Sequence, residues 1–185
     1  MGSVTVFTIG HGARSIEDFV SLLRGAGVEV LVDVRTAPGS RKHPQFGRDA
    51  LETSLAEAGT GYLWEGRDLG GWRRARSGSR HTALRSPGFR GYADHMETEG
   101  FRQARERLLL RAGRAPTAVM CAESRWWRCH RRLLADALVA AGAEVRHIMD
   151  GPKVEPHRLS AQARIEGGLP VYDVAEEDSG QRRIG

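Results

Sequence analysis

Three short, almost wholly apolar runs constrain this chain more than any other feature: residues 4–9 (VTVFTI), 28–34 (VEVLVDV) and 117–122 (TAVMCA). A strand that faces water on one side alternates apolar and polar residues. Runs this unbroken belong to strands covered on both faces, as in parallel sheets flanked by helices. A helical segment separates the first two runs. Ser15 is placed to cap it, Glu17 and Asp18 stand in its first turn, and Ile16, Phe19, Val20, Leu22 and Leu23 recur at helical spacing before Gly25 and Gly27. A strand–helix–strand unit of this kind makes its two strands parallel. At 185 residues the chain suits one such domain. The expected fold is α/β: a single open, mainly parallel sheet with helices on both faces, a Rossmann-like three-layer arrangement.

The rest of the chain continues the alternation. Residues 49–58 read as a second helix and 62–64 as a short strand. Residues 66–88 lack apolar periodicity, carry Gly70-Gly71 and several arginines, and read as a long loop, either functional or disordered. Helices are expected over 89–96, over 99–111 with Thr98 as cap, and over 128–141. A last strand is expected over 144–148. Residues 1–150 form the expected catalytic domain. Residues 151–185 hold Pro152, Pro156, Gly167-Gly168, Pro170 and an acidic cluster at 176–178, and read as a loosely packed or partly disordered tail.

Charge adds a second constraint. The formal net charge is +5, and only Lys42 and Lys153 among the 28 basic residues are lysines. A GC-rich genome explains that ratio but not the clustering: residues 67–114 hold twelve arginines against five acids. Guanidinium groups grip phosphate oxygens in a fork, so a cationic face suits a polyanion. No run approaches the ~20 apolar residues of a membrane span, and the N-terminus shows no signal-peptide pattern. A cytoplasmic protein with no membrane partner is expected, monomeric by preference, its Cys121 and Cys129 free thiols.

Ligands of open parallel sheets bind beyond the carboxyl ends of the strands. Three polar clusters fall there: Gly10 and His11, then Asp33 and Arg35, then Cys121 to Arg131. Asp33 interrupts an apolar run and needs a partner. It is either half of a structural ion pair or a carboxylate poised for acid–base work, with Arg35 as phosphate or oxyanion partner. Glu123 stands where the chain leaves the sheet, as a general base or as an ordinary exposed acid. The spacing of Cys121, Cys129 and His130 fits no compact zinc pattern, and neither metal nor cofactor is expected. Cys121 reads as core. Cys129, near a helix start beside Arg128 and His130, has the setting of a lowered thiol pKa. Of Trp126 and Trp127, one packs beneath the following helix and the other is left to stack on a base. Arg128, Arg131 and Arg132 crowd a helix N-terminus against its dipole, which an anionic partner would relieve.

These residues carry a family resemblance. Thr8-Ile9-Gly10-His11, Val32-Asp33-Val34-Arg35, Pro44-Gln45-Phe46, Tyr92-Ala93-Asp94-His95-Met96, Met120-Cys121-Ala122-Glu123 and Trp127-Arg128-Cys129-His130-Arg131 stand in the order found in the domain-of-unknown-function 488 family. The chain resembles that family over residues 4–149. It departs at Gly12, where the family has a small polar residue, and in the Arg-rich stretch 73–85. The resemblance implies a DNA glycosylase of base excision repair that removes 5-hydroxymethyluracil-type pyrimidines. On that implication Asp33 and Glu123 are the catalytic carboxylates. Gly10, His11, Arg35, Cys121, Trp127, Arg128 and His130 bind substrate, and Arg41, Lys42, Arg73, Arg74 and Arg131 hold the DNA backbone. The partner is double-stranded DNA with a flipped base. Lyase chemistry needs an amine. Lys42 is the one lysine near the site, so monofunctional hydrolysis of the N-glycosidic bond is expected. An enzyme on small nucleotides or phosphorylated metabolites, or a non-catalytic nucleic-acid-binding module, would use the same residues, and both readings stay open.

Overall fold

The computed structural model describes residues 3–175. The chain alternates strand and helix: β1 (Thr5–Gly10), α1 (Ile16–Gly25), β2 (Val30–Asp33), α2 (Arg48–Glu57), β3 (Gly61–Trp64), α3 (Gly66–Leu69), α4 (Pro87–Met96), α5 (Glu99–Ala112), β4 (Thr117–Cys121), α6 (Arg131–Ala140) and β5 (Glu144–Ile148). Three short strands close it: β6 (Val154–Pro156), β7 (Ala163–Glu166) and β8 (Leu169–Tyr172). The expected caps are in place. Ser15 accepts from the Asp18 N–H at 3.1 Å, and Thr98 from that of Phe101 at 3.3 Å.

The main sheet runs β3-β2-β4-β1-β5-β6, parallel except for the edge strand β6. β1 and β2 are parallel as expected but not adjacent, because β4 lies between them. Successive side chains of each strand enter opposite cores. Val6, Val32, Val119 and Val145 pack with Tyr92, Phe101, Leu108, Leu133 and Leu138 of α4, α5 and α6. Ile9, Leu31, Ala118, Met120 and Ile148 pack with Phe19, Leu23, Leu51 and Leu55 of α1 and α2. This double burial is why the strands read as unbroken apolar runs. It also places the crevice. The chain leaves β1 and β2 toward one face and leaves the intervening β4 toward the other, so their carboxyl ends splay apart at a topological switch point.

Three expectations need correction. Residues 154–172 are not a loose tail. β6 extends the sheet, β7 and β8 form a hairpin, and Leu169, Val171 and Tyr172 are buried. The anchor is Asp136 of α6, which accepts from Tyr172 Oη (2.8 Å), Ser160 Oγ (2.7 Å) and His157 Nε2 (2.8 Å). His157 continues to His147 (3.0 Å) and His147 to Thr8 Oγ1 (2.7 Å), a buried polar chain across the sheet. A buried carboxylate satisfied by residues from 21 to 36 positions away leaves no local sequence signal. Residues 66–88 are not a bare loop either. α3 opens them, and Leu69 and Leu84 are buried. Finally, α6 starts at Arg131 rather than 128, after a 3₁₀ turn over Trp126–Arg128. The acidic cluster 176–178 lies outside the described residues. Among those described, no helix is long and apolar enough to cross a membrane.

Candidate active site

A cavity of about 650 Å³ opens at the splayed strand ends. His11 and Gly12 reach it from β1, Arg35 and the segment through His43 from β2, and Cys121 to Ser124 with Arg128 to His130 from β4. The three sequence clusters therefore meet in one place. A fourth wall comes from Gly71 and Trp72, between α3 and α4, and from Phe89 in the first turn of α4.

Asp33 is not in the cavity wall, contrary to the expectation of a catalytic carboxylate. It is fully buried, and both its oxygens are committed. Arg35 donates from Nε to Oδ1 (2.9 Å) and from Nη2 to Oδ2 (2.7 Å). The Arg35 N–H adds a third bond (3.1 Å) and Tyr62 Oη a fourth (2.7 Å). Burial and the adjacent Asp33 charge push the Tyr62 phenol well above its ordinary range, so it remains the donor. A buried carboxylate this fully paired holds its partner in place and has no lone pair left for a proton in transit. Arg35 is fixed at the cavity edge with Nη1 donating to the Phe46 carbonyl at 2.8 Å, so its fork is already spent and is not a free phosphate clamp.

His11 lies flat on Phe46, with ring centroids 4.3 Å apart and planes 16° off parallel. Its Nδ1 donates to the Gly12 carbonyl at 2.8 Å, leaving Nε2 as an acceptor 3.4 Å from Arg35 Nη1. Burial brings its pKa down to about 4 against the favourable carbonyl contact, so the ring is neutral at neutral pH.

Glu123 is the one carboxylate among the described residues lining the cavity. It is exposed and, among the described residues, accepts only from its own loop: the Arg125 N–H at 3.1 Å and Ser124 Oγ at 3.4 Å. The loop lies on β1 because residue 10 is glycine; a Cβ there would run into the Glu123 carbonyl. Gly10 thus admits the loop rather than touching substrate. Beneath the loop lies Arg131, 1% exposed. It donates to the Glu123 and Ser124 carbonyls, to Thr8 Oγ1 at 3.3 Å and to Cys121 Sγ at 3.1 Å. It cannot hold a DNA backbone; loop carbonyls, not an external anion, answer its unfavourable place at a helix N-terminus. Arg132 is likewise engaged, by Ser160 and Gln162.

Of the other expected backbone contacts, Arg41, Lys42 and Arg74 are exposed, the first two in sequence between the cavity-lining Ser40 and His43. Arg73 is folded back onto the Gly70 and Arg67 carbonyls. Arg128 and His130 line the cavity, and His130 Nε2 is buried without a hydrogen-bond partner among the described residues. Trp126 packs flat on His147 (4.1 Å, 6°), while Trp127 is 44% exposed, next in the chain to the cavity-lining Arg128. Trp72, 78% exposed, is the residue the sequence reading missed. Its signal was a large aromatic in a stretch with nothing to pack against. Gly71 lets it approach, since a Cβ there would strike the His130 ring. Among the described residues no three His, Cys, Asp or Glu side chains group as metal ligands.

Fold and site together define an open doubly wound α/β domain with a strand-end pocket walled by three loops and overhung by a fourth segment. The chain belongs to the family described as Domain of unknown function DUF488, which matches residues 15–138. The match includes Asp33, Arg35, Glu123 and Cys129 and stops short of β1 with His11. No curated protein and no solved structure matches.

Proposed function

We propose that this protein is a monofunctional DNA glycosylase that removes a modified pyrimidine of the 5-hydroxymethyluracil type. The observation that carries the reading is a single exposed carboxylate, Glu123, on the wall of a cavity large enough for a flipped nucleotide. Exposed Trp72 and Arg128 line the cavity, exposed Trp127 directly precedes Arg128 in the chain, and exposed Arg41 and Lys42 lie in sequence between the lining residues Ser40 and His43. The aromatic faces would support an unstacked base, and the cations the phosphates on either side. His11, a neutral ring in the cavity wall with Nδ1 on the Gly12 carbonyl and Nε2 accepting from Arg35, is held in one orientation against the base.

In this reading Glu123 takes a proton from the attacking water as the bond between the sugar carbon and the base nitrogen breaks. Its negative charge also stabilises the oxocarbenium-like sugar. The water oxygen ends on the sugar carbon, and its proton on the departing base. His11 faces the base; Arg35, held by Asp33 and bonded to His11 and the Phe46 carbonyl, fixes that wall, so Arg35 and Asp33 are positioning residues. The committed fork of Arg35 speaks against a phosphorylated metabolite bound deep in the pocket.

The test is incubation with duplexes bearing one 5-hydroxymethyluracil, uracil or thymine, with abasic sites read by alkaline cleavage. Release from the modified base, with no strand break before alkali, is expected. Glu123→Gln should still bind the duplex while losing a factor on the order of 10²–10⁴ in excision rate. Absence of release from every modified base, under conditions where the duplex binds, refutes the proposal.

A further inference from the structure

The proposed excision makes no use of the two thiols at the back of the cavity. Cys121 ends β4 and Cys129 directly precedes His130, the N-cap of α6, so the pair brackets the loop that carries Glu123. Their Sγ atoms lie 2.7 Å apart, both as free thiols, and both residues line the cavity. Cys129 Sγ is 3.4 Å from His130 Nδ1. Arg131 Nε donates to Cys121 Sγ at 3.1 Å. The two cysteines differ in kind. Cys121 is inside the sheet, and burial pushes its thiol up. Cys129 is drawn well below the ordinary thiol range by the hydrogen bond from Cys121 and by its neighbours His130 and Arg131. Cys129 is buried, 8% exposed, but it stands in the wall of the open cavity; a low thiol pKa, an approach from that cavity and a second thiol in contact are the three conditions of a redox-sensitive cysteine. A buried structural cysteine needs none of them.

We propose that Cys129 is an oxidation site for small peroxides, with Cys121 as its resolving thiol. The Cys129 thiolate attacks one peroxide oxygen, the O–O bond breaks, and the departing hydroxide takes up a proton as water, leaving a sulfenic acid on Cys129. The Cys121 sulfur then attacks the Cys129 sulfur. The S–O bond breaks, the second hydroxide leaves as water with the Cys121 proton, and a disulfide joins the two ends of the loop. One peroxide is reduced to two waters, and two thiols are oxidised to one disulfide. The Arg131 N–H facing Cys121 stabilises the sulfur as it loses its proton. The loop from Ala122 to Arg128, Glu123 included, becomes a covalently closed ring.

The full chain, folded, is treated with hydrogen peroxide, quenched, denatured, alkylated with iodoacetamide and mapped by mass spectrometry. The expected product is lighter by two hydrogen atoms, takes up no iodoacetamide, shows a peptide pair linked through Cys121 and Cys129, and recovers both thiols with dithiothreitol. Cys121→Ser should accumulate a dimedone-reactive sulfenic acid on Cys129, and Cys129→Ser should give none on Cys121 at the same dose. Two alkylatable thiols surviving in the folded protein, under a dose that links them in the urea-unfolded chain, would overturn the proposal. So would a dimedone adduct on Cys121 of Cys129→Ser. The mapping of the unaltered protein decides the matter even if a variant fails to fold, and no readout depends on DNA.

Discussion

Replacing Asp33 by asparagine separates a positioning role from a catalytic one. Asp33 is fully buried and its partner Arg35 is 6% exposed. The substitution leaves a guanidinium in low dielectric with no counter-charge, and breaking a buried pair in this way costs about 3–5 kcal/mol. The asparagine oxygen can still accept from the Arg35 N–H or from Tyr62, so the lower end applies, about 3 kcal/mol. For a domain of this length that lowers Tm by roughly 6–12 °C. Calorimetry or circular dichroism melts of the folded domain read it directly. A cycle with Arg35→Met should show strong coupling: the double variant should be no less stable than Asp33→Asn alone, because the unpaired cation has gone. Excision should fall only as far as Arg35 is displaced. If Asp33→Asn melts within a degree of the unaltered protein yet loses excision altogether, the carboxylate is doing chemistry, and its placement behind Arg35 is misread.

Glu123→Gln should behave in the opposite way. Its partners are two donors of its own exposed loop, which an amide oxygen also satisfies, so the melt should stay within a few tenths of a kcal/mol while excision collapses. Gly10→Ala should destabilise by about 1–3 kcal/mol, read by urea titration, because its Cβ meets the Glu123 backbone and the Arg131 guanidinium, neither free to withdraw. Trp72→Ala should weaken duplex binding by about 1–3 kcal/mol in fluorescence anisotropy and leave the melt unchanged, since the ring is 78% exposed. Acid should weaken the fold before the carboxylates titrate. Burial lowers the pKa of His11 from 6.5 to about 4 and that of His147 to about 3. Above pH 6.5 both are neutral in either state and add no pH dependence. As pH falls toward 4 the unfolded chain takes up protons that the folded protein refuses, and stability drops by up to ~1.4 kcal/mol per pH unit for each. The loss levels off below the folded-state values. A flat stability between pH 6.5 and 4.5 would contradict the burial of both rings.

What the sequence determined by itself is what repeats locally. Double burial leaves its mark on every residue of a strand, so the apolar runs around Leu31 and Val119 announced a parallel sheet with two covered faces, and Ser15 and Thr98 marked helix starts through bonds three residues long. The sheet's site-forming edge was legible for the same reason: residues that end buried strands, His11, Arg35 and Glu123, must emerge where ligands bind. The fates of individual charges were decided only in three dimensions. Asp33 and Glu123 look alike as acids at strand ends. Tyr62, 29 positions away, helps close one off, while among the described residues the other is bonded only within its own loop. Arg131 and Arg74 are both arginines in basic stretches, but one lies under the loop carbonyls and the other in water. The tail folds because Asp136 waits inside α6 for Tyr172. Burial of a single polar group depends on long-range partners whose spacing follows no period, and that information exists only once the chain has closed upon itself.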